Sequence, residues 1–211
     1  MLLLIRHRDH EPIVNPTAYV SPTSTLVGKV LVGPHGRILF GAIVTAETSM
    51  VEIGEYAIIS ENAVLRGNRS ADTDQPVLIG DHVFIGPHAT LLGCAVAPCS
   101  YIATGATVLQ GAKIGSGAVI AVGALVHANT VIPDGYFVPP YAVAIGDPVQ
   151  LYSPNQKEEM AEAIRRLGFA RTAFGIEGPF HDRKALYKSA TEIRSQEYAS
   201  HFQDIILDPV D

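Results

Sequence analysis

A mainly β solenoid of short parallel strands, closed by C-terminal α-helices, is the fold class this sequence predicts, and three observations predict it. An aliphatic residue or Ala recurs every six positions over most of residues 14–138. A small residue commonly stands four places later, as at Ala18, Ala42, Ala57, Ala89 and Ala118, and Gly often follows directly, as in Ile53-Gly54, Ile79-Gly80 and Ile114-Gly115. The pattern stops near Val138-Pro139-Pro140 and gives way to helix signals. A six-residue period fits neither a helix nor a simple hairpin. It fits strands separated by tight corners, the hexapeptide solenoid.

The elements follow in order. The count runs Val14, Val20, Leu26, Val32, Ile38, Val44, and resumes after an offset at Ile53, Ile59, Leu65. After a longer offset it continues at Ile79, Ile85, Leu91, Ala97, Ala103, Leu109; with one residue dropped it ends on Ile114, Ile120, Val126, Ile132, Val138. At three hexads per coil this makes about seven coils, and each needs its neighbours to bury its aliphatic file. Residues three hexads apart then lie one above another. That rule places Arg66, Leu92, Gln110 and His127 in one file, with Thr45 further along it, and His35 and His82 at equivalent corners. The largest offset, polar residues 68–77, must leave the coil and is a candidate pocket wall. The solenoid domain is assigned to residues 1–150 and a helical appendage to 151–211. Ser153-Pro154-Asn155-Gln156 reads as an N-cap, a first-position proline and a capping-box Gln, predicting a helix over about 154–167 that stops at Gly168. A second helix begins near Asp182. Leu186, Ala190 and Ile193, then Tyr198, Phe202 and Ile205, form an apolar stripe to pack on the solenoid flank or a neighbouring subunit.

Composition narrows the function. The 211 residues carry a net charge of −6, which excludes a basic nucleic-acid footprint and attraction to an anionic membrane. No apolar run reaches membrane-spanning length, and Met1–Ile5 is too short for a signal sequence before Arg6 and His7. A cytoplasmic protein is expected, with Cys94 and Cys99 as buried or semi-buried thiols. Corner histidines are mostly solvated; His7, His10, His181 and His201 lie outside the repeat and receive no role.

Ile85-Gly86-Pro87-His88-Ala89-Thr90-Leu91-Leu92-Gly93-Cys94 resembles the I-G-H-G-A-x-L-H-G-C segment of the gamma-class carbonic anhydrases. Gly41–Glu47 is similar to that family's G-A-x-x-R-G-D, and Val51–Arg66 to its I-E-I-G-x-x-x-N-I-Q-D-x-x-V-x-H. With Ala121–Val126, Ile132–Gly135 and Gly146-Asp147-Pro148, the resemblance covers about residues 13–150. It implies a left-handed parallel β-helix and a homotrimer. It also places the family's three zinc-binding histidines at Arg66, Pro87 and Leu92, its Arg at Thr45, its Asp at Glu47 and its Gln at Ser60. Proline and leucine offer no donor atom, and a guanidinium is a fixed cation that repels a dication. No resident metal is therefore expected, and zinc only with a ligand set foreign to the family.

Three functions remain open: a trimeric binding or scaffold protein without CO2 hydration; a coenzyme A-dependent acyltransferase using His88 or His127 as base; and a metal-free small-molecule enzyme, with a carbonic anhydrase of rearranged metal site as a further variant. The candidate ligand-binding set is Thr45, Glu47, Ser60, Arg66 and His88, suited to a small anionic ligand. Outward Phe84, Leu92 and Tyr101 are expected to form an apolar patch that three-fold closure hides.

Overall fold

The computed structural model describes residues 2–70, 73–175 and 183–207. Its solenoid is a left-handed parallel β-helix whose coil strands pair in parallel with the coils above and below. One file of inward residues runs Val14, Val32, Ile53, Ile79, Val96, Ile114, Ile132. The second runs Val20, Ile38, Ile59, Ile85, Ile102, Ile120, Val138, and the third Leu26, Val44, Leu65, Leu91, Val108, Val126, Ala144. These are seven complete coils. The strand Leu3–Arg6, paired with Thr25–Val27, begins one more below the first. Nearly all file residues beyond the first coil are fully buried, so the axis is one continuous aliphatic core.

The corners explain the small residues. In Gly54-Glu55-Tyr56-Ala57 and Ser60-Glu61-Asn62-Ala63 the fourth N–H returns to the first carbonyl, and the third residue has positive φ (53° at Tyr56, 56° at Asn62). That is type II turn geometry, with the Ala methyl turned inward at zero exposure. Tyr56 has no glycine-like tolerance for this conformation. Its ring is instead sandwiched between His35 and His82, at 4.6 and 5.2 Å, both of which also hold positive φ. The two corner histidines thus do share a face, with Tyr56 stacked between them.

The register departs from expectation at one place. Val96, Ile102 and Val108 are the axis residues, not Ala97, Ala103 and Leu109. The dropped residue falls between Leu91 and Val96, where Gly93 (φ 47°) tightens the corner, and not after Leu109. Leu109 therefore takes the file position in line with Leu92 and His127, and Gln110 lies one residue past it.

The polar offset does leave the coil. Val64–Ser70 extends past its neighbours and turns back as Thr73–Gln75, an antiparallel hairpin pairing Asn68 with Gln75 and Ser70 with Thr73. It walls a cleft of about 700 Å³ shared with Cys94, Lys113, Asn129 and Thr172.

Among the described residues three α-helices follow the solenoid: α1 (Lys157–Arg166), α2 (Phe169–Phe174) and α3 (Arg183–Tyr198). The first starts later than expected. Residues 153–156 form a turn in which Gln156 Oε1 accepts the Ser153 N–H at 2.9 Å, so the capping-box contact exists while Pro154 stays outside the helix. The short α2, between Gly168 and Gly175 in left-handed conformation, has no sequence signal of sufficient length. His181 and Asp182 lie outside the described residues. The stripe packs only in part. Ala190 is buried, but the helix ends at Tyr198; a 3-10 turn then leaves Phe202 95% exposed, and Ile205–Leu207 becomes a strand antiparallel to Leu4–Arg6.

Candidate functional site

The third face of the prism carries the site. Its outward file, one residue beyond the axis, reads Val27, Thr45, Arg66, Leu92, Leu109, His127. The C-terminal helices lie over it. Gln75 Nε2 donates to Thr172 O at 2.8 Å, Asn129 Nδ2 to Thr172 Oγ1 at 2.8 Å, and Phe169 meets the His127 ring edge-on at 5.0 Å. Burial pushes the His127 pKa down, and its Nδ1 accepts the Ala128 N–H, which leaves a neutral ring with the proton on Nε2. Tyr198 covers Arg66: Nη1 donates to its hydroxyl at 3.3 Å, with the guanidinium 6.0 Å from the ring centroid.

Past the Thr45 end of this face the two chain termini meet. His7 follows the first strand and seats against Gly28, where an added Cβ would stand 3.5 Å from His7 Cβ and 2.7 Å from Ala46 O. Glu47 comes from the long strand Ile43–Ile53, and His201 and Asp204 arrive with the C-terminal segment. Asp204 holds both imidazoles: Oδ1 lies 2.6 Å from His7 Nδ1 and Oδ2 2.7 Å from His201 Nδ1. Glu47 Oε2 lies 2.9 Å from His201 Nε2 and 3.9 Å from His7 Nε2. The rings stack at 4.4 Å. Arg8 Nε donates to His7 Nε2 at 3.1 Å, so that nitrogen presents its lone pair and Nδ1–H faces Asp204.

The electrostatics follow from this packing. Burial disfavours the charged His201 ring, but hydrogen bonds to Asp204 and Glu47 outweigh it and raise its pKa above the ordinary 6.5. Burial likewise opposes the Asp204 carboxylate, and the bonds from His201 and His7 overcome it, lowering its pKa below 3.8. A raised histidine stabilises the fold fully below about pH 6.5 and loses that contribution as pH rises through its folded value. A depressed carboxylate contributes above its unfolded value and loses it as pH falls through the folded one. Docking of the C-terminal strand should therefore be strongest between these limits. Hydrogen exchange of the Ile205–Leu207 amides in chelator-treated protein, corrected for intrinsic rates, should show more protection at pH 5.5 than at pH 9; equal protection would contradict this.

Of the five expected site residues, the fold brings Thr45, Glu47 and Arg66 to one face. Arg66 does not pair with Glu47, whose carboxylate takes His201 instead. Ser60 and His88 are separated from them: both stand in corners that enter this face from its opposite edge. Ser60 is buried, and His88 is exposed with its N–H on Glu61 O. The apolar patch also divides. Phe84 and Tyr101 meet edge-to-face at 5.5 Å on the second face, while Leu92 belongs to the third. Cys94 is buried, its thiol pushed up to about 12 by burial, but Cys99 stands at an exposed corner. His7, His201 and Asp204 carry no local signature; only the spacing His201-x-x-Asp204 and the cluster Arg6-His7-Arg8-Asp9-His10 hint at them.

No family model matches the chain. It is 34% identical over 141 residues to gamma carbonic anhydrase 1, mitochondrial, of Arabidopsis thaliana, covering 63% of this chain and 51% of that protein. To gamma carbonic anhydrase 2, mitochondrial, of the same plant it is 31% identical over 140 residues, covering 63% and 50%. The chain thus spans about half the length of these curated relatives. A solved Bacillus cereus structure described as a “putative acetyltransferase” superposes with a TM-score of 0.51 at 20% identity over 95% of this chain and 98% of that one, a likeness of fold. Fold and repeat together define a hexapeptide-repeat left-handed β-helix protein. Within that class its sequence is similar to the gamma carbonic anhydrases. Among the described residues no helix is long and apolar enough to cross a membrane.

Proposed function

We propose that this chain forms a homotrimeric binding or scaffold protein that does not hydrate CO2. One observation carries the reading: the positions where the resemblance puts three zinc-binding histidines hold Arg66, Pro87 and Leu92. Arg66 and Leu92 are aligned in register and Leu109 follows Leu92, so the neutral nitrogen of that file, on His127, lies two coils beyond Leu92 and out of reach of the Arg66 position. A zinc-activated water needs about three such ligands. The residues present suit an anion instead. Arg66 Nε is buried without a hydrogen-bond partner, and so is the hydroxyl of Thr45, its register neighbour. A carboxylate or similar small anion reaching between them would satisfy both. Trimer closure has a physical motive in the outward aromatics Phe84, Tyr101 and Phe137 of the second face, each 40–55% exposed.

Stopped-flow CO2 hydration on zinc-equilibrated protein tests the reading, together with light scattering at the eluting peak. Hydration at the uncatalysed rate and a mass three times 22.5 kDa are expected. Zinc-dependent catalysis, or a stable monomer, would overturn it.

A further inference from the structure

We propose that His7, Glu47 and His201 form a binding site for a divalent transition metal of the zinc type, built within one chain and distinct from the positions Arg66, Pro87 and Leu92. The ligand atoms lie within 4.8 Å of one another. Two separations are fixed: Glu47 Oε2 stands 2.9 Å from His201 Nε2 and 3.9 Å from His7 Nε2. Tetrahedral ligands about 2.0–2.1 Å from a zinc ion are roughly 3.3 Å apart, so these two separations change by about half an ångström, while the two histidine nitrogens close by up to about 1.5 Å as the stacked rings tilt together. Two imidazoles and one carboxylate are a recurrent three-ligand set for zinc that leaves a fourth position open.

The surroundings argue for a site more than the three ligands do. Asp204 takes the Nδ1 atoms of both histidines at 2.6 and 2.7 Å. One carboxylate thereby orients both rings and directs both Nε2 atoms to Glu47. A carboxylate behind a ligating imidazole is the usual partner that fixes its tautomer and raises its basicity. His7 and Glu47 are both at least nine-tenths buried, so neither is a loose surface group. The cation now nearest the ligands is Arg8, whose Nε donates to His7 Nε2 at 3.1 Å. Arg8 is exposed and also donates from Nη2 to Glu197 O at 3.0 Å, so metal entry displaces it from both partners; beyond it opens a cavity of about 370 Å³ lined by Arg8, His10, Glu47, Thr48, Ser49 and Arg69. A metal there would join the first strand, the second coil and the C-terminal segment, so binding would also fasten the two chain ends to the solenoid.

The test is cobalt(II) and zinc binding to the full-length, chelator-stripped protein. Stoichiometric cobalt should give the visible absorption of a four-coordinate nitrogen–oxygen site, zinc should abolish it, and zinc should raise the melting temperature. His201→Ala should lose cobalt binding at least 100-fold. Asp204→Asn should weaken it about 10–100-fold without abolishing it. Arg8→Ala should tighten it, a result that mere loss of folding cannot mimic. Cys99→Ser, which removes the exposed thiol at a distant corner, should leave it unchanged. Absence of the cobalt spectrum in wild-type protein would overturn the proposal, as would retention of metal in His201→Ala or loss in Cys99→Ser. Since hydration of CO2 is read separately, a bound metal with no hydration supports both this site and the proposed function. A bound metal with hydration supports the site and refutes the function.

Discussion

Leu91→Ala should lower stability by about 3–5 kcal/mol, the upper part of the range for truncating a buried leucine. Leu91 is fully buried in the third axial file, between Leu65 one coil below and Val108 one coil above. The cost of such a change depends on whether the surroundings can collapse into the space. Here they cannot. Thr90 N–H bonds to Ala106 O at 2.9 Å and Val64 N–H to Ala89 O at 2.9 Å, so the coils on both sides are held at their ladder spacing. The cavity would remain nearly at full size, and a solenoid coil has only its two neighbours to share the loss. Denaturant titration at fixed protein concentration measures it, since subunit association would otherwise shift the midpoint. A loss below 1 kcal/mol would show that the axis repacks and that the ladder does not set the cavity.

Most of this core was legible because a six-residue period has one structural solution. Where the reading slipped, the cause is local degeneracy. Val96-Ala97, Ile102-Ala103 and Val108-Leu109 are adjacent apolar pairs, and either member satisfies an aliphatic count. Only the larger member of the first two pairs fills the axis, and only the shortened corner at Gly93 says where the count shifts. The consequence reached the site, because the shift puts Leu109 and not Gln110 in the file of Arg66 and His127. Thr45 and Arg66 could be placed on one face from spacing alone, since stacking turns sequence position into height, and the family resemblance added Glu47. The same rule has nothing to say about residues outside the repeat. His7 and Asp204 touch across 197 positions of chain, and that contact exists because the last strand pairs antiparallel with the first. No period links two single strands at opposite termini. Glu47, the one member of the cluster on the solenoid, was therefore visible, and His7, His201 and Asp204 on the terminal segments were not.

Gly115→Ala should cost about 3 kcal/mol, at the upper end of overpacking penalties, although it adds a single methyl group to a residue without positive φ. The added Cβ would stand 2.5 Å from Asp134 N, 2.5 Å from Pro133 C and 2.6 Å from Asp134 Oδ1. Two of these are backbone atoms of the next coil, which no side-chain rotation can move. That coil is pinned at this corner by Gly115 N–H on Ile132 O at 2.8 Å, Gly135 N–H on Ser116 O at 2.8 Å, and Asp134 Oδ1 accepting the Ser116 N–H at 2.8 Å. Relief requires prying the corner open and losing some of these bonds. Gly105 is the internal control. It holds φ 66°, but a Cβ there meets nothing within 4 Å, so Gly105→Ala should lose only the backbone strain of a left-handed residue, about 1–2 kcal/mol. Denaturation midpoints of the two variants separate the causes. If Gly115→Ala proves the milder of the two, coil-to-coil contact is not what requires glycine after the axial isoleucine, and the Ile-Gly step in this repeat has a conformational origin instead.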